Sequence, residues 1–461
     1  MPEETTIDVG TLIDNRKLGK FHLLITILCA LVVVVDGLDF GAGNVSAPAV
    51  IRAFHADKSA MGVVFGAGYF GILVGSIIFG YVGDRFGRRA GAIGGVLAYS
   101  IPALIQAYAG SLNEIMIWRF VAGLGIGGVI PNVIALVTET APQRYRASFV
   151  VYTIIGYSIG TVVIGQVAAA FIPHLGWQVV FFVAGTAGIV LSAVLYVFLP
   201  ESIRFLALAR PNSEALRKLV ARIAPELSIG PATTIIARQE RTKTNFSVPM
   251  LFRGDQRLAT PLLWVAYFAE SLTYMTLLSW MPVILESTGL SPAGASLTYS
   301  YAAACGVITQ LSLARPLDVY GPLTTVATAI IAVAAILYLG TPGLTDGLII
   351  GAALVGMAFC GGAHNSLNCT VGIFYPTGIR ANGVGFATGM GRVAAVIGPV
   401  ITGFLMAQKL PLQTMLYIVS GPYIIVMVAC LPLGWLYRTR FRGPVSDALA
   451  AEEPLAVREH G

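Results

Sequence analysis

Charge is scarce in this sequence. Only 11% of its 461 residues are charged, against about 25% in soluble domains, and that shortage excludes an ordinary water-soluble globule. Cysteine is scarce too. Cys29, Cys305, Cys360, Cys369 and Cys430 all fall in or beside apolar stretches, with no CxxC pair. A disulfide-stapled fold and a thiolate metal site are thereby excluded, and the five read as small packing residues. No basic face of the kind a nucleic acid needs is visible. The chain also lacks a Gly-rich phosphate loop, an HExxH pair and a nucleophile elbow, so neither an enzyme nor a cofactor is expected. What it has in abundance is apolar: 56% of residues are hydrophobic, with 52 glycines and 24 prolines. Membrane helices tolerate glycine and proline better than soluble helices do.

Apolar segments run near 21–50, 59–82, 89–110, 115–138, 147–171, 177–199, 260–285, 293–314, 321–340, 347–373, 381–406 and 412–437. That predicts an all-α membrane protein of twelve spans, since a span needs about 20 apolar residues and a helix satisfies its own backbone in lipid. A polar, basic stretch over 200–259 divides the chain into bundles at 21–199 and 260–437. It leaves tails at 1–20 and 438–461. With the N-terminus inside, 24 of the 29 lysines and arginines fall on the inner side. Arg52, Lys58 and Lys409 alone fall outside, and Arg119 and Arg392 lie within spans. This asymmetry predicts cytoplasmic termini in the inner membrane of a bacterium. Within 200–259, Ser213 precedes Glu214 and Leu216, Leu219, Val220 and Ile223 recur at helical spacing up to Pro225. The pattern predicts a short amphipathic helix on the membrane or the bundle. The stretch as a whole reads as a tether between halves rather than a regulatory element.

The halves align at one constant offset of 234 residues. Asp84-Arg85-Phe86-Gly87 falls on Asp318-Val319-Tyr320-Gly321, Pro142 and Arg146 fall on Pro376 and Arg380, Pro48 falls on Pro282, and Asp36 falls on Glu270. A register kept without gaps across five helices predicts two copies of one six-helix unit, the duplication typical of secondary transporters.

These residues resemble a known family. Gly80-Tyr-Val-Gly-Asp84-Arg85-Phe-Gly87-Arg88-Arg89 is similar to the loop 2–3 signature of the major facilitator superfamily. Arg119-Phe-Val-Ala-Gly123 resembles the helix 4 motif of its proton-coupled members, and Pro200-Glu201-Ser202 closes helix 6 in a similar way. Asp36-Gly37-Leu38-Asp39 resembles the DGxD signature of the aromatic acid:proton symporters. Pro131-Asn132, Glu139, Tyr375-Pro376-Thr377 through Arg380, and Gly391-Arg392 fit the same pattern. The chain departs from it at Val319, where arginine is usual, at His364, where glutamine is usual, and at Ala394 and Ala395, where a small glycine is usual. The resemblance covers residues 20–440. It implies a monomeric, proton-coupled carrier that imports a small organic acid, aromatic by the same resemblance, by alternating access. An exporter working by proton antiport and a solute receptor that does not transport are the alternatives.

Charges inside spans are costly and mark cavities or partners. Asp36 and Asp39 are three apart and share one helix face. Two nearby carboxylates in low dielectric resist joint ionisation, which is the chemistry a proton-coupling site needs. Arg119, at a depth to meet Asp39, either switches with protonation or holds the helices in a static pair. Arg392, near mid-membrane, suits the substrate carboxylate through planar, bidentate bonds, or else pairs with the intramembrane Glu270. His364 and Asn368 share a face of helix 10 with Cys360. They offer hydrogen bonds to a ring substituent, a proton relay, or a satisfied core histidine. Phe40, Tyr274 and Tyr301 are candidates to stack on a ring or plain fillers. Asp84, Arg85, Arg88, Arg89, Glu139, Arg146, Asp318 and Arg380 lie at the inner ends of helices. They suit a charge network that holds an inner gate shut, or simply mark topology.

Overall fold

A computed structural model describes residues 6–16, 18–211, 213–224, 233–237, 247–254 and 256–440. Pro225 and the expected tail beyond 440 lie outside them. In the first half, helices run over Val9–Asp14 (α1), Lys20–Ala53 (α2), Lys58–Phe86 (α3), Arg88–Gln106 (α4), Leu112–Thr140 (α5), Arg146–Leu175 (α6), Gln178–Phe198 (α7), Ile203–Ala209 (α8) and Glu214–Ile223 (α9). In the second they run over Gln256–Ser287 (α10), Pro292–Ser312 (α11), Ala314–Tyr320 (α12), Pro322–Leu339 (α13), Asp346–Phe374 (α14), Thr377–Ala407 (α15), Leu412–Ser420 (α16) and Pro422–Arg440 (α17). Among the described residues, ten spans are long and apolar enough to cross a membrane, α16 and α17 forming one of them as Leu412–Thr439. The less apolar α4 and α11, with 19 and 21 residues, fall at the third and eighth expected segments.

Packing divides the chain into two units. Asn44–Tyr69 and Gly165–His174 belong with the second half, and the rest of the first half forms the other unit. In the first unit α4 packs on α5 and α7. Small residues let the backbones meet: a Cβ on Gly37 of α2 would lie 2.1 Å from the Tyr157 carbonyl oxygen of α6, and one on Gly160 would lie 2.0 Å from that of Val34. Such close approach is how membrane helices gain packing without a hydrophobic drive. In the second unit α10 packs on α15 and α17, and α13 on α14. Here Arg52 bonds Glu286, its equivalent at the offset of 234. Asn44 Nδ2 donates to the Tyr299 hydroxyl at 2.9 Å, and the Tyr69 and Ser279 hydroxyls lie 3.0 Å apart.

The duplication is visible in the backbone. Gly87 between α3 and α4 has φ +113°, and Gly321, at the equivalent position, has φ +55°. Both are conformations that side chains resist. Space is also short: a Cβ at Gly87 would meet Glu201, and one at Gly321 the Tyr437 ring at 2.8 Å.

Residues 200–224 are more than a tether. Thr6–Asp8 (β1) pairs in parallel with Thr234–Ile236 (β2). Val9 and Ile13 of α1 join Ile203, Phe205, Leu206 and the α9 face Leu216, Leu219, Val220 and Ile223 in one apolar cluster. Burial of each large side chain there contributes about 1.5–3 kcal/mol. Ser213 caps α9, accepting from the Leu216 amide at 3.3 Å. The amphipathic helix therefore spends its apolar stripe on a small folded lobe rather than on lipid.

Candidate functional site

The first unit buries an acidic pair. Asp36 and Asp39, one helical turn apart on α2, are both fully buried. Arg119 of α5 reaches across, its Nη1 donating to Asp39 Oδ2 at 3.2 Å and to the Asp39 carbonyl at 3.4 Å. Gly43, one turn beyond Asp39, makes room for it: a Cβ there would lie 2.3 Å from Arg119 Nη2. The guanidinium also lies 6.0 Å from the Phe181 ring centre. Among the described residues, neither Asp36 oxygen has a hydrogen-bond partner, nor does the nearby Tyr99 hydroxyl of α4. Two carboxylates thus share one cation, and only Asp39 is bonded to it. Breaking such a buried pair by removing one partner costs about 3–5 kcal/mol. Phe40 is buried against Tyr157, ring centres 5.7 Å apart. Tyr99 was missed in the sequence. Its signal was a polar pair, Tyr99-Ser100, inside an otherwise apolar span.

The second unit buries a different set. Glu270 of α10 is fully buried. Its Oε2 lies 2.8 Å from His364 Nδ1 of α14 and accepts from the Ser271 hydroxyl at 3.3 Å. Glu270, for which Arg392 was the alternative partner, is thus bonded to His364. Tyr274 stacks on the His364 ring at 5.0 Å and 27°, and Tyr267 meets it edge-on at 5.9 Å. The Tyr267 hydroxyl donates to Asn368 Oδ1. Arg392 of α15 lies within electrostatic reach of Tyr267. Next to it, Gly391 abuts Tyr267 and Ser271, where a Cβ would come within 2.7 Å of both. Glu270, Tyr274, His364, Asn368 and Arg392 are therefore brought into one neighbourhood through Tyr267. That residue was also missed, although Tyr267, Glu270 and Tyr274 recur at helical spacing. Tyr301 stands apart from them, 49% exposed on α11.

The charges at the helix ends form separate groups. Arg88 donates to Asp84 Oδ1 and to the Gly83 carbonyl, each at 2.7 Å, and to Glu139 Oε1 at 3.5 Å. Ser202 in turn donates to Glu139. The Arg89 amide donates to Glu201 at 3.1 Å, and its side chain to the Tyr196 carbonyl. Arg146 meets Asp14 at 3.9 Å. Arg380 Nε donates to the Tyr375 carbonyl at 3.0 Å. Arg85 and Asp318 have exposed side chains, the Asp318 carbonyl accepting from the Tyr437 hydroxyl at 3.1 Å. The Arg88–Asp84–Glu139 network thus joins three of the expected residues, while Arg89, Arg146 and Arg380 bond elsewhere.

The Major Facilitator Superfamily profile matches residues 29–371 and 263–458. The chain belongs to this superfamily. It is 31% identical over 415 residues to the 4-hydroxybenzoate transporter PcaK of Acinetobacter baylyi, covering 88% of this chain and 90% of the relative. It is 32% identical over 391 residues to the 3-(3-hydroxy-phenyl)propionate transporter of Escherichia coli, covering 84% and 88%. Among solved structures, the partially occluded inward-open xylose transporter XylE from E. coli aligns with a TM-score of 0.68 at 15% identity, covering 92% of this chain and 98% of that one. The fold is that of this superfamily, and the chain is a multi-pass membrane protein related to transporters of aromatic acids.

Proposed function

We propose that the protein is a proton-coupled symporter that carries a small aromatic carboxylic acid into the cell by alternating access. The observation that carries this reading is the buried group of Asp36, Asp39 and Arg119: two acids, one cation, and an Asp36 carboxyl with no hydrogen-bond partner. Such a group changes its bonding when a proton arrives, because Arg119 balances one negative charge and not two. The relatives named for aromatic acids support the substrate class. Arg392 takes the carboxylate, with bidentate geometry that a lysine does not offer. Tyr274, His364 and Asn368 shape the binding of the ring, with Glu270 setting the orientation of His364. The Arg88–Asp84–Glu139 network, with Arg85, Arg89, Arg146, Asp318 and Arg380, serves the cytoplasmic gate. The basic residues crowd the side that bears both termini, which supports a cytoplasmic location for them in a bacterial inner membrane.

Proteoliposomes test the reading. Counterflow with benzoate, hydroxybenzoates, phenylpropionates, muconate and shikimate-like acids identifies the cargo. An imposed pH gradient should drive accumulation of the acid. One proton with one monoanion moves no net charge. Two protons move one, so a potential of 100 mV then adds about 2.3 kcal/mol, or roughly fifty-fold accumulation. Exchange that never responds to a pH gradient would remove the symport reading. Efflux of unrelated amphiphiles would replace it with antiport.

A further inference from the structure

A cavity of about 650 Å³ opens in the first unit between the end of α3, the start of α4, the end of α7, and helices α8 and α9. Of its lining, only Arg89 takes part in the proposed transport cycle. Ile93, Gly94 and Leu97 of α4 line it, with Phe205 and Leu219 from the lobe. Its polar lining is almost entirely basic: Arg89, Arg210, Lys218 and Arg222, against a single acid, Glu201. Glu201 is already engaged, one oxygen accepting from the Arg89 and Ser202 amides at 3.1 and 2.9 Å. Arg89 is held on the Tyr196 ring, 5.4 Å from its centre. Arg210, Lys218 and Arg222 remain exposed. Lys218 meets Glu214 at 2.7 Å, but both side chains are at least 75% exposed, so the pair is weak.

The flank of the cavity is as telling as its rim. Phe86, Tyr196, Val197 and Phe198 are 55–71% exposed at the ends of α3 and α7. Large apolar side chains in this position are covered by hydrocarbon, since both helices are membrane spans. Because α9 has turned its apolar stripe into the lobe, Lys218 and Arg222, four apart, face outward from its other side. The opening therefore joins an apolar wall continuous with the lipid-facing surface to a basic rim at the helix ends. A ligand matched to both has hydrocarbon at one end and negative charge at the other. We propose that this cavity holds one anionic phospholipid, its phosphate among Arg210, Lys218 and Arg222 and its acyl chains along Ile93, Leu97 and Tyr196. Cations at the membrane surface attract anionic lipid. The bound lipid ties the lobe of α1, α8, α9 and the β1–β2 pair to the bilayer.

Native mass spectrometry of the full chain, after exchange into detergent with phosphatidylglycerol or phosphatidylcholine, tests this. One phosphatidylglycerol should stay with each chain and phosphatidylcholine should not. The triple variant Arg210→Gln, Lys218→Gln, Arg222→Gln should lose that retention about tenfold or more, which corresponds to about 1.4 kcal/mol or more. Gly94→Leu should lose it too with all charges intact. A Cβ at Gly94 meets only Phe79, at 3.6 Å, so the backbone tolerates the side chain while the cavity fills. Both variants should remain monodisperse and accumulate acid as the native chain does. Equal retention of the two lipids by the native protein would overturn the proposal. So would undiminished retention by either variant. Displacement of phosphatidylglycerol by millimolar inorganic phosphate would assign the rim to a soluble anion instead.

Discussion

Asp36 and Glu270 occupy the same position in the two halves, 234 residues apart, and both are fully buried acids. Their surroundings differ. Asp36 has a second carboxylate one turn away, at Asp39, and no hydrogen-bond partner among the described residues. Glu270 has threonine at the place of Asp39, Thr273, whose hydroxyl bonds the Val419 carbonyl, and it faces a histidine. Arg119 corresponds to Ala353, His364 to Ile130 and Arg392 to Ser158. Duplication supplied one acid to each half, and everything around that acid then diverged. The first half kept two carboxyl groups beside one cation, whereas the second gained a histidine and a hydroxyl that bond one oxygen of its acid. The proposed symport needs both environments. An acid that gains and loses a proton must have no permanent partner, and a pocket for an anion must have its own acid neutralised.

The largest expected effect concerns the first half. Asp36→Asn with Asp39→Asn should lower pH-gradient-driven accumulation by at least about 100-fold, while exchange of labelled for unlabelled acid persists. The two acids lie one helical turn apart, so either one alone can still carry the proton and the double variant is the decisive one. Undiminished concentrative uptake by it would assign the proton to Glu270 or His364 and invert the comparison.

The next effect belongs to the second half. Arg392→Lys keeps the charge and loses the paired hydrogen bonds, worth about 1.5–3 kcal/mol when charged groups are involved. The KM for the acid should rise about tenfold or more, with kcat less affected. Arg392→Ala should abolish uptake without impairing membrane insertion. Normal apparent affinity in the alanine variant would place the carboxylate elsewhere.

The smallest effect is the sharpest test of the division of labour. His364→Gln retains a donor for Glu270 and removes the titratable ring. Uptake should change by only about two- to threefold, the cost of a modest hydrogen-bond rearrangement, and the ranking of ring-substituted competitors should change with it. If this variant instead uncouples uptake from the pH gradient, the histidine carries protons and the two halves share that task.

Much of this was legible in the sequence. Apolar runs placed the spans, because lipid forces each to be a self-satisfied helix of fixed length. The gapless offset exposed the duplication, later visible in Gly87 and Gly321. The approach of Arg119 to Asp39 followed from depth alone. The partner of Glu270 did not, because helical spacing says which residues share a face but not which faces meet. Tyr99 and Tyr267 were hidden for a related reason: an aromatic residue in a span signals lipid contact and burial equally well. The lobe was missed because its pairing joins Thr6 to Thr234, a contact too distant in sequence for any local pattern to announce.

The Arg52–Glu286 bond has a historical consequence. When two copies of a unit are identical and meet about a twofold axis, a position that contacts its own counterpart brings a residue against its twin. Two arginines or two glutamates there would repel. Attraction at this position therefore had to wait until one copy could change without the other, which requires that the coding sequence be duplicated. The chain holds a contact that two identical half-size copies could not have made, and this bond therefore follows the duplication.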